Sequence, residues 1–265
     1  MLTVISPAKK LNEVPQALPD GHPMTDPEFA TEALELATLA RDLSVDQLRK
    51  LSHISEPLAR LNRDRFAAFS ASPAPGTIYP AVHCFAGDTY EGLDVRTMPA
   101  PALTWAAGHL RILSGLYGLL RPFDAIQAYR LEMGSRLANP RGADLYAFWG
   151  KRIAQSLNTL AAEQDAKALI NCASVEYFSA VDRATLRVPV ITPVFLEERD
   201  GQAKTVSFWA KRARGAMARH ICEHQITTPA DLRGFSAGGY RHQPDASTGG
   251  LMVFQRWLRK SEQPG

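Results

Sequence analysis

One stretch of the chain, His109 to Gly134, constrains the fold most strongly, because it mixes apolar runs with residues that interrupt regular structure. It reads HLRILSGLYGLLRPFDAIQAYRLEMG. Gly115 and Gly118 favour tight turns. The Arg121-Pro122 pair ends any helix, since proline lacks a backbone N–H and restricts the residue before it. The apolar spacing upstream predicts a helix over residues 103–113 that leads into this stretch.

Charged side chains lie within this stretch among residues that otherwise resemble a buried core. They are Arg111, Arg121, Asp124, Arg130 and Glu132. Arginine rarely enters a core without a partner. In one interpretation, Arg121 with Asp124 and Arg130 with Glu132 form structural ion pairs. In the other, the same side chains line an anion-binding cleft.

The length and composition are those of an ordinary globular protein. The 265 residues suit one large domain or two small ones, with 45% apolar and 22% charged residues. No apolar run approaches the roughly 18 residues of a membrane span. Residues 1–5 are too short for the core of a secretory signal. We therefore expect a cytoplasmic protein that does not associate with membranes.

The hydrophobic patterns predict a mixed α/β (α+β) fold, with a central mixed sheet surrounded by helices. We expect a single domain over residues 1–265. Its alternation of elements is too irregular for a regular Rossmann arrangement or a TIM barrel. The predicted strands include residues 2–5, 168–170, 188–198, 203–208 and 251–257, and the clearest helices are residues 144–162 and 209–223.

A candidate DNA-binding element lies at residues 44–66, which read SVDQLRKLSHISEPLARLNRDRF. The pattern predicts a short helix begun by a Ser44–Gln47 capping box, then a tight turn and a second helix. It resembles the helix-hairpin-helix of non-specific DNA-binding proteins, which presents backbone N–H groups to a phosphate. His53 and Ser55 stand where that module has glycine. An ordinary helical hairpin has a similar pattern, so both interpretations stay open.

Basic residues are concentrated towards the end of the chain. Residues 199–260 hold eleven Lys or Arg and four Asp or Glu, a net charge of +7, whereas the whole chain carries +3. Such a surface either contacts a polyanion such as double-stranded DNA or is simply solvated. The candidate phosphate contacts are Lys9 and Lys10 after the first strand, and Lys211, Arg212 and Arg214 in the predicted helix 209–223.

A few polar residues at predicted turns are candidates for a binding cleft. Asp88 is either an acid or base or the cap of the segment that follows it. Asn171, Ser174 and Glu176 follow a predicted buried strand, where α/β proteins often place a site, although Ser174 also suits a helix cap. The sequence has no P-loop, GxGxxG or GxSxG. No catalytic residue, reaction or cofactor is therefore predicted.

The three cysteines, Cys84, Cys172 and Cys222, are odd in number and widely spaced. This argues against a disulfide framework and a zinc site. His220 and His224 flank Cys222, but helical spacing places Cys222 on a different face, so no metal site is predicted. Cys222, on the basic helix, is the one candidate for a reactive thiol, because the other two lie in buried-looking segments.

Several motifs together resemble the bacterial YaaA peroxide-stress proteins. They are the stretch from His109 to Gly134, SPAKKL at 6–11, FAGDTYEGL at 85–93, INCASVEYF at 170–178 and FWAKRARG at 208–215. Their order and the chain length fit the family over essentially the whole chain. One departure is Ala86, where the family pattern has lysine, so a basic contact there would be missing.

The resemblance implies a DNA-binding protein of the oxidative stress response that limits iron-driven DNA damage. Contacts would be mainly to phosphate, with little sequence preference. We expect a monomer and, without a catalytic motif, favour this function. The alternative is an enzyme acting on a nucleic acid or nucleotide at a cleft lined by Arg, Asp and Glu of residues 88–176. A closed pocket would favour the enzyme, and a long basic groove would favour DNA binding.

Overall fold

The computed structural model describes residues 1–16, 18, 22–199 and 201–257. The strands are β1 (Leu2–Ile5), β2 (Lys10–Leu11), β3 (Ile78–Pro80), β4 (Phe85–Ala86), β5 (Leu110–Ser114), β6 (Gly118–Leu120), β7 (Ala125–Gln127), β8 (Leu169–Cys172), β9 (Val190–Arg199), β10 (Gln202–Lys204), β11 (Arg241–His242) and β12 (Leu251–Trp257). The helices are α1 (Ala30–Arg41), α2 (Val45–Ser52), α3 (Glu56–Ala68), α4 (Ala81–Cys84), α5 (Asp88–Leu93), α6 (Ala100–His109), α7 (Leu145–Trp149), α8 (Arg152–Glu163), α9 (Val175–Phe178) and α10 (Ser207–Glu223).

Within the described residues, a mixed sheet of eight strands forms the centre of the fold. Its order is β11-β12-β9-β8-β1-β5-β6, with β10 also paired to β9. Strands β12, β9, β8, β1 and β5 are parallel, whereas β6, β10 and β11 pair antiparallel to their neighbours. Helices pack around this sheet. The predicted mixed α/β fold with a central mixed sheet is therefore confirmed.

The central strands β1, β5 and β8 are buried along their whole length. Parallel strands covered on both faces have such continuous apolar sequences. Because the three strands are parallel, their carboxyl ends meet at one edge of the sheet, which we call the carboxyl edge. Ser6, Gly115 and Ala173 are the first residues past the ends of β1, β5 and β8. Side chains in the loops that follow can therefore meet there.

The predicted helix over residues 103–113 is wrong at its end. Helix α6 ends at His109, and Leu110–Ser114 is strand β5, which pairs with β1 and β6. The apolar spacing suited both structures, and pairing on both sides satisfies the buried backbone. The predicted helix 144–162 is also divided, because Gly150 adopts a φ of +48° between α7 and α8.

Several other element predictions are confirmed. The first and last strands have the predicted bounds, and α10 begins two residues earlier than predicted. The predicted strands 188–198 and 203–208 correspond to β9 and the shorter β10, which pair antiparallel as a hairpin; Asp200 between them lies outside the described residues. In the part of the chain that the structure describes, no helix has both the length and the apolar character needed to cross a membrane.

Residues 44–66 form the predicted helical hairpin. Ser44 and Gln47 make the capping box at the start of α2. His53 ends that helix in the left-handed conformation, with a φ of +50°. Ser55 precedes α3, but its side chain makes no capping hydrogen bond. A histidine thus adopts the backbone conformation that glycine favours, and the DNA-binding role of the hairpin stays a prediction.

Helices α5 and α10 cross at very short range through two glycines. A Cβ on Gly215 would lie 1.8 Å from the Thr89 carbonyl oxygen, and one on Gly92 would lie 1.9 Å from the Arg212 carbonyl oxygen. Neither backbone can accommodate a methyl group at such a distance without moving. This crossing fixes the basic helix α10 against the turn that contains Asp88.

We expect Gly215→Ala to lower the free energy of unfolding by at least about 2 kcal/mol, because the added methyl group forces α5 and α10 apart. Urea denaturation followed by circular dichroism measures this change. A methyl group on Gly234 would meet no atom within 4 Å, so Gly234→Ala is the matched control and should change stability by less than about 0.5 kcal/mol. Equal stability of the two variants would contradict the close crossing.

Candidate functional site

Two serines join the loops at the carboxyl edge of the sheet. The Ser6 hydroxyl accepts a hydrogen bond from the Ser174 backbone N–H at 2.8 Å and donates to the Ser174 hydroxyl at 3.3 Å. The Tyr90 hydroxyl donates to the Ser6 carbonyl at 3.1 Å. Ser174 occupies the position before α9, as predicted, but its side chain does not cap that helix. Its hydroxyl instead helps to hold the loops after β1 and β8 together.

A small pocket lies beside these serines. Its volume is about 10 Å³, and its lining residues are Pro7, Ala8, Lys9, Tyr129, Arg130, Leu131, Glu132 and Tyr177. Such a volume holds about one water molecule. The Arg130 Nε donates to Glu132 Oε1 at 2.9 Å, which confirms this predicted ion pair. Glu132 Oε2 is buried and accepts no hydrogen bond from the described residues.

Helix α3 holds the backbone of Arg130 in place. The Asn62 side chain is fully buried. Its Nδ2 donates to the Arg130 carbonyl at 2.8 Å, and its Oδ1 accepts from the Arg130 N–H at 2.9 Å. The helical hairpin is therefore joined directly to the small pocket.

A groove of about 740 Å³ lies between the helical hairpin and residues 134–138. Its basic lining residues are Lys50, His53 and Arg136, and no carboxylate is among its lining residues. All three side chains are exposed. The Gly134 N–H at its edge donates to Glu176 Oε1 at 3.1 Å. Glu176 thus holds the backbone at the edge of this basic groove.

A larger cleft of about 870 Å³ lies on the other side of Lys9. It is lined by the cations Lys10, Arg96 and Arg212 and by the acids Glu91 and Asp94. Asp94 is itself 3.5 Å from the guanidinium of Arg219 on α10. The exposed charge of the cleft is therefore mainly positive.

The basic residues of α10 have different environments. Lys211 is exposed, and its Nζ lies 4.0 Å from Asp88 Oδ2. Arg214 is half-buried and makes no ion pair with the described residues; burial lowers its pKa, and the nearby Cys172 opposes that effect.

The prediction that Asp88 caps the following segment is wrong, because Gly87 precedes α5 and the Asp88 side chain makes no capping hydrogen bond.

Arg111 and Arg121 lie away from the carboxyl edge, around a cavity beside β6. The Arg121 Nε donates to Asp124 Oδ1 at 3.0 Å, which confirms the second predicted ion pair. The Thr25 hydroxyl also donates to that oxygen, at 2.6 Å. Burial raises the Asp124 pKa, while these hydrogen bonds oppose the shift. Of the three arginines in the central stretch, Arg130 is the one at the small pocket.

Asn171 is buried and uses its side chain within the protein. Its Oδ1 accepts from the Ala173 N–H at 3.0 Å, and its Nδ2 donates to the Thr192 hydroxyl at 3.4 Å. These bonds shape the turn after β8. Asn171 therefore fixes the backbone of this turn and does not line the small pocket. Lys9 and Arg130 do line that pocket.

Cys222, the one candidate for a reactive thiol, is not accessible in the structure. Cys84, Cys172 and Cys222 are all buried, and burial raises the pKa of each to about 12. Cys222 faces the interior from α10, away from the basic surface. In the described ranges, no three His, Cys, Asp or Glu residues are grouped as metal ligands would be.

The structure places four residues at the site that no sequence motif singles out as candidates. Lys50, Asn62 and Arg136 lie near the hairpin groove, and Arg96 lies in the larger cleft. Asn62 has the clearest local signal, because it is a polar residue in line with the buried Ala59 and Phe66 of α3. The others are ordinary surface cations until the fold brings them beside the candidate residues.

Comparison with known proteins identifies the family. The family model described as peroxide stress protein YaaA matches residues 1–246. The chain belongs to this family. A UPF0246 protein of Cereibacter sphaeroides strain KD131 is 60% identical over 97% of this chain and 99% of its own length. A UPF0246 protein of Dinoroseobacter shibae is 57% identical over 97% of this chain and 95% of its own length. The YaaA family places the chain among proteins of the peroxide stress response.

We expect the native protein to resist thiol modification. A pKa of about 12 leaves roughly one thiolate in ten thousand at pH 8, and burial blocks access. Ellman's reagent at pH 8 should therefore release almost no colour within minutes from the folded protein and three equivalents in guanidinium. Rapid reaction of one thiol in the native state, assigned by mass spectrometry, would instead show that one cysteine is accessible and reactive.

Proposed function

We propose that the chain binds double-stranded DNA during peroxide stress, mainly through phosphate contacts and with little sequence preference. The observation that supports this most directly is the arrangement of basic side chains around the carboxyl edge. Cations line the cleft, the small pocket and the hairpin groove. The cations concerned are Lys9, Lys10, Lys50, Arg96, Arg130, Arg136 and Arg212, and His53 lines the groove beside Lys50.

Two short segments connect these three depressions. Lys10 lines the cleft, and its neighbour Lys9 lines the small pocket. Residues 130–132 line that same pocket, and residues 134–138 line the hairpin groove. A backbone of regularly spaced phosphates could follow these segments, meeting cations repeatedly. A single small anion would need only one of the three depressions.

The hairpin contributes a second kind of contact in this proposal. His53 and Ser55 are exposed at the turn between α2 and α3. Backbone N–H groups at a helix N-terminus favour a phosphate, and the side chains can add to that contact. Lys211 and Arg214 extend the basic surface along α10. Phosphate contacts of this kind position DNA without reading its bases.

The link to iron is indirect in this proposal. Occupying DNA would shield it from hydroxyl radicals formed by iron and peroxide, without iron binding to the chain. Such shielding needs high occupancy and little sequence preference, which phosphate contacts provide.

We expect the protein to bind labelled duplex DNA with a steep decrease in affinity as salt rises. In Lys10→Ala/Arg212→Ala, two cleft cations are lost, so the slope of log K against log salt should become shallower by about 2. Lys50→Ala/Arg136→Ala should have a similar effect at the groove. Fluorescence anisotropy at several salt concentrations measures both.

The matched control is Lys167→Ala/Arg187→Ala, which also removes two charges. These residues precede β8 and β9, at the opposite edge of the sheet. The control should retain the slope of the unmodified protein. Absence of binding at low salt, or equal losses in all three variants, would contradict a DNA path along the carboxyl edge.

A second candidate function, chemistry on a nucleic acid or nucleotide, is favoured by one observation. Glu132 Oε2 is buried without a hydrogen-bond donor beside a space for about one water, with Lys9 at the same pocket. A carboxylate so placed could accept a proton from that water, while Lys9 or Arg130 contacts a phosphate. The enzyme would then use the same bound DNA or a nucleotide fragment of it.

We expect Glu132→Gln to separate the two functions. If Glu132 acts as a base, the variant should retain DNA affinity but lose at least about 100-fold in turnover of a labelled oligonucleotide or nucleotide. Mass spectrometry of the reaction products measures turnover. Glu176→Gln is the control, since Glu176 holds Gly134 instead of lining the pocket. Absence of any product with the unmodified protein would leave DNA binding alone.

A further inference from the structure

A separate cavity of about 350 Å³ lies at the edge of the sheet, away from the basic surface. Strands β5 and β6, helix α8 and the segment before α1 form its walls. Its lining residues are Glu28, Arg111, Leu119, Arg121, Asp124, Ser156, Thr159, Leu160 and Glu163. This volume is near the lower end of the range for small-molecule pockets.

Arg111 is an unusual lining residue for such a cavity, because its charged side chain is almost completely buried. Only 8% of the residue is exposed. Its NH1 donates to the carbonyls of Ala107 and Leu110, at 3.0 and 2.7 Å. Its Nε and NH2 donate to none of the described residues, and no carboxylate among them forms an ion pair with it. A guanidinium with one side free is suited to bind a carboxylate through two parallel hydrogen bonds.

The other charges facing the cavity are mostly acidic. Asp124 is already occupied by Arg121 and Thr25. Glu28 and Glu163 act on Arg111 through space without pairing with it, and the Ser156 hydroxyl donates to Glu28 at 2.7 Å. The cavity is therefore lined by one buried, unpaired cation, Arg111, and by two carboxylates that form no ion pair with it, Glu28 and Glu163.

We propose that this cavity binds a small zwitterion, a compound with one carboxylate and one ammonium group, such as a free amino acid. The carboxylate contacts Arg111, and the ammonium group lies towards Glu28 and Glu163. An inorganic anion would be repelled by the two carboxylates, Glu28 and Glu163. A diamine would be repelled by the two arginines, Arg111 and Arg121. A zwitterion carries a negative group for Arg111 and a positive group for the two glutamates, so its charges complement those of the cavity.

The length of the ligand can be measured with a series of probes. The full-length protein is titrated by calorimetry with ω-amino acids from glycine to 6-aminohexanoate. Acetate, methylammonium, putrescine and inorganic phosphate serve as comparison compounds. We expect one length to bind best, and acetate and methylammonium to bind at least tenfold more weakly than that zwitterion. Flat affinity across the series, or tighter binding of phosphate or putrescine, would overturn the proposal.

Two variants test the opposite ends of the ligand. Glu163→Gln, at an exposed position on α8, should weaken the best zwitterion at least tenfold, whereas acetate, which has no ammonium group, should bind no more weakly than to the unmodified protein. Arg111→Lys keeps the charge but removes the planar fork, and should weaken both. Glu91→Gln, in the larger cleft, is the control and should change neither.

DNA binding by Glu163→Gln should equal that of the unmodified protein, so this proposal and the DNA proposal can fail separately. If the Arg111 variant does not fold, Glu163→Gln still decides the outcome, because its side chain lies at the surface of α8. Unchanged zwitterion affinity in Glu163→Gln would place the ligand elsewhere and overturn this site.

Discussion

The interaction on which the candidate site depends is the pair of hydrogen bonds between the Asn62 side chain and the backbone of Arg130. Asn62 belongs to the helical hairpin, and Arg130 belongs to the loop at the carboxyl edge. Leaving two buried backbone groups without partners costs about 1–3 kcal/mol for each group. The hairpin is therefore held to the sheet by a polar contact that an apolar residue cannot replace.

Close packing fixes the same loop from its other side. A Cβ on Gly115 would lie 2.2 Å from the Leu131 carbonyl oxygen, so the loop rests directly against the end of β5. Asn62 and Gly115 together determine where the Arg130–Glu132 pair lies. The small pocket is thus built by backbone contacts, and the hairpin groove follows from the next few residues of the loop. The positions of Arg130 and Arg136 therefore depend on how this one loop is held.

The sequence predicts local features better than the distant contacts that build the site. Arg121 and Asp124 are three residues apart, and the sequence predicts their pairing correctly. Asn62 and Arg130 are 68 residues apart, and nothing in the local pattern indicates that they meet. Strand β5 illustrates the same limit, because its apolar spacing also fits a helix. Pairing with β1, at the very start of the chain, decides that it is a strand.

A protein of the peroxide stress response can act on the oxidant or protect a target from it. Thiol chemistry with the oxidant is poorly supported, because all three cysteines are buried with pKa values raised to about 12. The described residues do expose positive charge, which lines the cleft and the hairpin groove. Because a positive surface potential raises the local concentration of anions, this distribution of charge supports the proposed protection of DNA.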